Sequence, residues 1–216
     1  MQLKLPNTEV ITSVSDSQHE ILRNIIQLYC PQGFDADFTY NTGGFYKKGI
    51  PQPLWKYDIK PLAPDVIQAD VRNLPFNSSS IKSAVFDPPF LAGSNINSKP
   101  YIMAKRYTMF KNMTDLQMMY TDALREISRV LSPGGILVFK CQDVIHGKQF
   151  YTNSVFVVNR AKDCGFECID QFVCINRNPI IQIRGQQMHS RKVHTYFLIF
   201  RKRSRIRKKK GVVHEL

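Results

Sequence analysis

The chain lacks any apolar run approaching the roughly 18 residues that a membrane span requires. Its first ten residues, MQLKLPNTEV, lack the basic-then-apolar order of a secretory signal. The expectation is a protein that stays in the cytoplasm, where it is made. Cysteine is sparse: five residues, an odd number, at spacings that outline no disulfide framework, so a reducing compartment is the simplest assumption. Cys164, Cys168 and Cys174 lie close in sequence, but neither a CxxC pair nor a well-spaced histidine accompanies them, and no metal site is expected. The stretch CGFECIDQFVCI reads instead as a helix end followed by an apolar strand, where small thiols pack well. Internal repeats and low-complexity blocks are absent too.

Acids are in short supply as well. There are 17 Asp and Glu against 30 Lys and Arg, a net charge of +13. Part of the surplus lies in the tail RKRSRIRKKK, 201–210. The rest is spread over expected loops, at Lys47, Lys48, Lys99, Lys105, Arg106, Lys111, Arg184, Arg191 and Lys192. A surplus distributed that widely suits a polyanionic partner.

What is present is one domain's worth of ordinary globular sequence: 216 residues, 43% hydrophobic and 22% charged. Ser15 or Asp16 is placed to cap a helix through Leu28, in which Ile21, Ile25 and Leu28 recur at helical spacing. Short apolar pieces follow, each closing on an acid or a turn signal: FDADF, LWKYDI, DVIQAD and IKSAVFD. Thr114 to Leu131 carries the clearest helical face, with Thr114 and Gln117 spaced as a capping box. SPGG, 132–135, is expected to stop that helix before the strand GILVFK. A helix over Tyr151 to Asp163 and two strands, FECIDQFVCI and VHTYFLIF, complete the pattern. Strands alternating with helices predict one doubly wound α/β domain over 1–201, with a basic tail at 202–216. Two polar, basic stretches, 91–113 and 178–192, are too long for ordinary connections and are the expected substrate loops.

The sequence SAVFDPPFLAG, 83–93, is the most informative. Asp87 emerges where an apolar strand ends. Pro88 holds Asp87 out of the helical region and Pro89 does the same to Pro88, giving a stiff extended segment whose carbonyls still accept hydrogen bonds. A planar amine on a nucleobase is a poor nucleophile because its lone pair is delocalised. Asp87 and the Pro88 carbonyl can each accept one of its hydrogens and favour a pyramidal nitrogen, while Phe90 stacks on the ring.

Asp87, Pro88, Pro89 and Phe90 match the signature [DNS]-P-P-[YFW], and the chain resembles the class I S-adenosylmethionine-dependent amino-methyltransferases, above all small phage and bacterial DNA methylases. The order of pieces over Phe34 to Arg201 and the closing segment QMHSRKVHTYFLIF, 187–200, share the likeness. The resemblance implies a Rossmann-like, seven-stranded, mostly parallel sheet with helices on both faces and an antiparallel last strand. It implies S-adenosylmethionine as cofactor. Asp37, Phe38, Thr39, Tyr40, Asn41, Gly43 and Gly44 occupy the place of the first cofactor motif, although the usual D-P-x-x-G-x-G is altered, with Phe38 for Pro and the glycines adjacent. Asp58 stands where an acid binds the ribose hydroxyls. Asp70, with Val71 beside it, stands where an acid accepts from the adenine amino group, and Asp87 closes the cofactor set.

Such an activity needs an accessible base, single-stranded or flipped out of a duplex. Lys99, Lys105, Arg106, Lys111, Arg184, His189, Arg191 and Lys192 are candidate phosphate contacts, with Tyr101 and Tyr107 available for stacking. A separate recognition domain finds no room. Either the loops read a short site, or a partner subunit or second copy assists, or the substrate is RNA or single-stranded. The expected reaction is methylation of adenine N6 in DNA. The alternatives are adenine N6 in RNA, cytosine N4 in DNA, a protein amide, or a catalytically silent nucleic-acid-binding subunit with the same fold.

Overall fold

Each apolar run that closes on an acid forms a strand. The computed structural model of the chain describes residues 10–90, 92, 110–177 and 187–204. In order, they form β1 (Val14–Ser15), α1 (Gln18–Tyr29), β2 (Ala36–Asp37), a 3-10 turn (Gly44–Tyr46), β3 (Trp55–Asp58), β4 (Ile67–Gln68) and β5 (Ile81–Phe86). There follow α2 (Met113–Val130), β6 (Leu131–Cys141), β7 (Val144–His146), β8 (Gln149–Tyr151), α3 (Asn153–Asp163), β9 (Phe166–Ile175) and β10 (His194–Lys202).

The main sheet runs β1-β9-β10-β6-β5-β2-β3-β4, and β7 with β8 makes a separate hairpin. β10 is antiparallel to both β6 and β9, and the other pairings in the main sheet are parallel. The antiparallel last strand is as expected, but the sheet has eight strands rather than seven. The additional one is β1, where Val14 and Ser15 pair with Val173 and Cys174 at the β9 edge. A two-residue strand has no periodicity of its own; tertiary pairing alone makes it.

The two faces of the sheet carry separate cores, because residues alternate along each strand. Ala84, Phe86, Leu137, Phe139, Leu198 and Phe200 face α2 and α3. Val85, Val138, Phe197 and Ile199 face the opposite way, against Ile21, Leu22 and Ile25 of α1. Leu124 of α2 is fully buried, and truncating such a leucine to alanine costs about 2–5 kcal/mol.

Helix ends differ from expectation in instructive ways. Ser17, not Ser15 or Asp16, caps α1 by accepting from the Glu20 N–H, while the Ser15 hydroxyl supports the cap by accepting from the Ser17 N–H. The cap of α2 is Asn112, whose side chain accepts from Asp115 N–H at 2.8 Å, so Thr114 and Gln117 form no capping box. α3 starts two residues later than Tyr151, which instead closes β8. SPGG does not precede a strand; it lies inside β6 at a register shift against β5, between Ile81 and Ser83. Gly134 takes φ 80°, and a Cβ on Gly135 would sit 2.8 Å from the Ser132 carbonyl. Glycine is needed there because the strand bulges toward its neighbour.

Candidate active site

The carboxyl ends of β2, β3 and β5 meet at one edge, and a crevice runs along it. Its walls include Phe38, Thr39, Asp58, Asp70, Val71, Asp87, Pro88 and Pro89. The sequence alone had not indicated Ile59, Ala69, Arg72, Phe86, Phe110 and Met119, which complete the lining. Apart from Arg72 these are apolar side chains, which read as core or loop until the fold brings them to the edge. Pro-Pro after a strand and acids after strands were the signal that could be seen.

Asp58 is 7% exposed. Its two oxygens accept from the Asn41 N–H at 2.9 Å and the Lys60 N–H at 2.8 Å. Burial raises its pKa, and those two backbone bonds oppose the rise. Asp70 is held by its own loop: Arg72 donates through Nε to Oδ1 at 2.9 Å and through Nη2 to Oδ2 at 2.5 Å. The side-chain bonds from Arg72 hold this carboxyl below the ordinary value. The segment after Asp70 is fixed from α2, where Glu126 accepts from the Leu74 N–H and Arg129 donates to the Leu74 and Phe76 carbonyls.

Asp37 lies beneath the crevice rather than on its wall, with 2% exposure. It accepts from the Tyr46 hydroxyl at 2.6 Å and from the Thr39 N–H at 2.8 Å. Burial pushes its carboxyl up to about 7, against the pull of those donors. Thr39 bridges it to Asp87: the Thr39 hydroxyl accepts from the Asp87 N–H at 2.7 Å and donates to Asp37 Oδ1 at 3.3 Å. Tyr40 stacks on Tyr46, and Gly43 holds φ 69° where a Cβ would strike the Tyr40 ring. Gly43 and Gly44 therefore shape the 3-10 turn, and neither lines the crevice among the described residues. Asn41 reaches it only through its bond to Asp58.

Asp87 follows β5 directly, and its side chain keeps 23% exposure. Tyr120 of α2 donates to the Pro89 carbonyl at 2.6 Å, a bond that pins the Pro-Pro segment and does not involve the Pro88 carbonyl. Lys140, on β6, was not singled out in the sequence, since a lysine near a strand end reads as solvated. Its ammonium lies 3.3 Å from Asp87 Oδ2. Burial raises the Asp87 pKa, and Lys140 lowers it. Phe90 packs at the margin of the core, with its ring 5.7 Å from Lys140 Nζ.

Of the expected nucleic-acid contacts, Lys111 is exposed one residue before the cap of α2, and His189, Arg191 and Lys192 precede β10. Lys192 Nζ packs 4.5 Å over the Phe150 ring. Lys99, Lys105, Arg106 and Arg184, with Tyr101 and Tyr107, lie outside the described residues. Ala92 and Phe110 form an isolated bridge, which joins the two ends of the 91–113 stretch. No helix among the described residues is long and apolar enough to cross a membrane.

Sheet order and the antiparallel β10 make a Rossmann-like mixed α/β fold, with an acid-lined crevice at the carboxyl ends of its strands. Among solved structures, the chain is similar to SpnF, a 4+2 cyclase, at 13% identity over 86% of this chain and 81% of that one, with TM-score 0.52. It is likewise similar to a complex between the Haloferax volcanii Trm112 methyltransferase activator and a provisionally assigned methyltransferase, at 13% identity over 84% and 88%, TM-score 0.51. A Thermus thermophilus protein, provisionally named a DNA modification methylase and complexed with S-adenosyl-L-methionine, matches at 20% identity over 66% of this chain and 57% of that one, TM-score 0.45. The chain thus spans little more than half the length of the Thermus protein. At these identities the likeness establishes the fold alone. No family model and no curated protein matches the sequence.

Proposed function

We propose that the protein transfers a methyl group from S-adenosylmethionine to the exocyclic amine of a nucleobase, adenine N6 in DNA. One observation carries this reading. Asp87, Pro88 and Pro89 leave β5 on the wall of a crevice that also holds Asp58 and Asp70, and Phe90 follows them at the margin of the core.

The crevice suits the cofactor. Phe38, Ile59, Ala69 and Val71 supply apolar walls for a purine. Asp58 has lone pairs beyond its two backbone bonds, enough to accept from ribose hydroxyls. Asp70 accepts from the purine amine, sharing its oxygens with Arg72. When bound, S-adenosylmethionine supplies an electrophilic methyl on a sulfonium, a cation favoured beside acids and aromatic rings.

The residues on the other side of Asp87 act on the base. Asp87 and the Pro88 carbonyl accept the two amine hydrogens and orient the nitrogen lone pair toward the methyl donor. The nitrogen gains positive charge as its new bond forms. Asp87, ionised and already in place, stabilises that charge and takes up the departing proton. A raised pKa suits the carboxyl to that last role. Phe90 stacks on the base, and Tyr120 keeps the Pro-Pro segment from yielding. The basic residues Lys111, His189, Arg191 and Lys192 contact phosphates, joined by Lys99, Lys105, Arg106 and Arg184.

Incubating the protein with methyl-labelled cofactor and either DNA or RNA, then digesting to nucleosides, tests this directly. Label in N6-methyl-2′-deoxyadenosine from DNA is the expected result. Label in cytosine, in RNA or in protein would redirect the substrate. Cofactor binding without transfer to any of them would favour the silent-subunit reading.

A further inference from the structure

Lys140 is an unusual resident for its position. It projects from β6 with its side chain 12% exposed, on the same face as Ile136 and Val138. The ammonium sits among three aromatic rings, 4.8 Å from Phe45, 5.7 Å from Phe90 and 5.4 Å from Phe197. Its one carboxylate partner among the described contacts is Asp87, at 3.3 Å. Burying an ammonium this far is unfavourable unless specific partners offset it, and the aromatic faces with Asp87 supply those partners. A purely apolar residue would pack against Phe45 and Phe197 at no such cost. The sequence nevertheless places a cation where it touches the acceptor carboxylate.

From this geometry we infer that Lys140 is a positioning residue. It keeps Asp87 ionised and aimed while the base pocket is empty, and it yields Oδ2 to the substrate amine when a base enters. This rests on the proposed transfer for its second half; the first half concerns the two side chains alone. The other groups around Asp87 cannot do the same work. Asp37 from β2 is an acid, and Tyr46 from the 3-10 turn, Tyr120 from α2 and Cys141 from β6 are neutral groups whose own ionisation Asp87 opposes. Lys140 is thus the cation facing Asp87 among the described residues. Without it, burial and the neighbouring acid both favour the protonated carboxyl, which has lost an acceptor and gained a donor.

The aromatic seat explains how the cation can give way. Lysine has a flexible four-carbon stem and a point charge that can turn from one partner to another. The Phe45 and Phe197 faces hold the ammonium after Asp87 is taken by the amine. Phe90 then turns from flanking a cation to stacking a base. An arginine in the same place would bind the carboxylate in a rigid fork and compete with the amine more strongly.

The test is a titration of Asp87 by carbon NMR, in protein labelled at aspartate carboxyl carbons and assigned with Asp87→Asn. Wild type, Lys140→Met and Lys140→Arg are compared. The expected result is an Asp87 midpoint displaced to higher pH in Lys140→Met and held in Lys140→Arg. Coincident midpoints in wild type and Lys140→Met would overturn the inference, whether or not the protein methylates anything. In methyl transfer, Lys140→Met should lose at least about tenfold in kcat/KM at pH 6 and recover most of it by pH 9, since a tenfold change corresponds to one unit of displacement. Lys140→Arg should keep the wild-type pH profile with a raised KM for nucleic acid. A wild type inactive on every nucleic acid would refute the proposed function and leave the carboxyl titration to decide the role of Lys140.

Discussion

The two sides of the crevice hold their carboxylates by different means. On the β2–β3 side the two buried acids are held by backbone or buried donors, Asp58 by two backbone N–H groups and Asp37 by Thr39 and the Tyr46 hydroxyl, while Asp70 is held by the half-exposed Arg72 two residues on. On the β5–β6 side, Asp87 is met by the end of a long lysine from the neighbouring strand. Fixed donors make a socket whose acceptors are set before a ligand arrives. A tethered cation makes a partner that can be replaced. The contrast fits a binding role for the first side and a reactive role for the second.

Substitutions sharpen or break that contrast, and the largest effect should come from Asp87. Replacing it with alanine should lower methyl transfer about a hundred- to a thousandfold, the loss expected when one preorganised charge-stabilising group is removed. Single-turnover assays would show this, while calorimetry should find cofactor affinity nearly unchanged. Equal transfer rates in variant and wild type would remove Asp87 from the chemistry. Asp58→Ala should show the mirror image, with cofactor binding weakened about ten- to a hundredfold, as for a lost bond to a charged group. Undiminished affinity would mean that the socket lies elsewhere.

Asp37 marks the buried extreme of the first side, and its effect should be on stability. Its folded-state pKa of about 7 stands above the ordinary aspartate value. Across the interval between, the folded protein keeps a proton that the unfolded chain has released. Stability therefore falls as pH rises through that window, and the cost is constant above it. Asp37→Asn removes the ionisation. Its melting temperature relative to wild type should climb between pH 4 and pH 8, by several degrees for a chain of this size. A constant difference across that range would show that Asp37 carries no such shift. The smallest effect is expected at Tyr120. Tyr120→Phe removes the donor to the Pro89 carbonyl at about 1 kcal/mol, and should slow transfer severalfold with cofactor affinity unchanged.

The sequence made much of this visible through one recurrent pattern, an apolar run closing on an acid. FDADF, LWKYDI, DVIQAD and IKSAVFD each hold a strand, and the last contains the whole of β5, ending on Asp87. β2 and nearly all of β5 are buried, so their apolar composition carried their assignment, whereas β3 is half exposed and β4 exposed at the sheet edge, and the closing acid was the clearer sign there. Asp58, Asp70 and Asp87 could be brought to one edge on that ground, because parallel strands end together. What was not legible depends on contacts between distant residues. β1 exists only because β9 has a free edge. Asn112 outcompetes Thr114 as a cap, two residues ahead of where the box pattern points. Gly43 reads as a cofactor glycine but is required by the ring of Tyr40. Lys140 gains meaning only from Asp87, 53 positions away, and from three rings on three other segments.

The reversed direction of β10 has a topological consequence. Because it runs against both its neighbours, the stretch joining Ile175 to His194 departs and returns on the same rim of the sheet from which the chain leaves Asp87. In a wholly parallel arrangement that stretch would have to traverse the body of the protein. Here a return path of any length begins and ends on the rim that carries Asp87, and a change in its length costs little entropy.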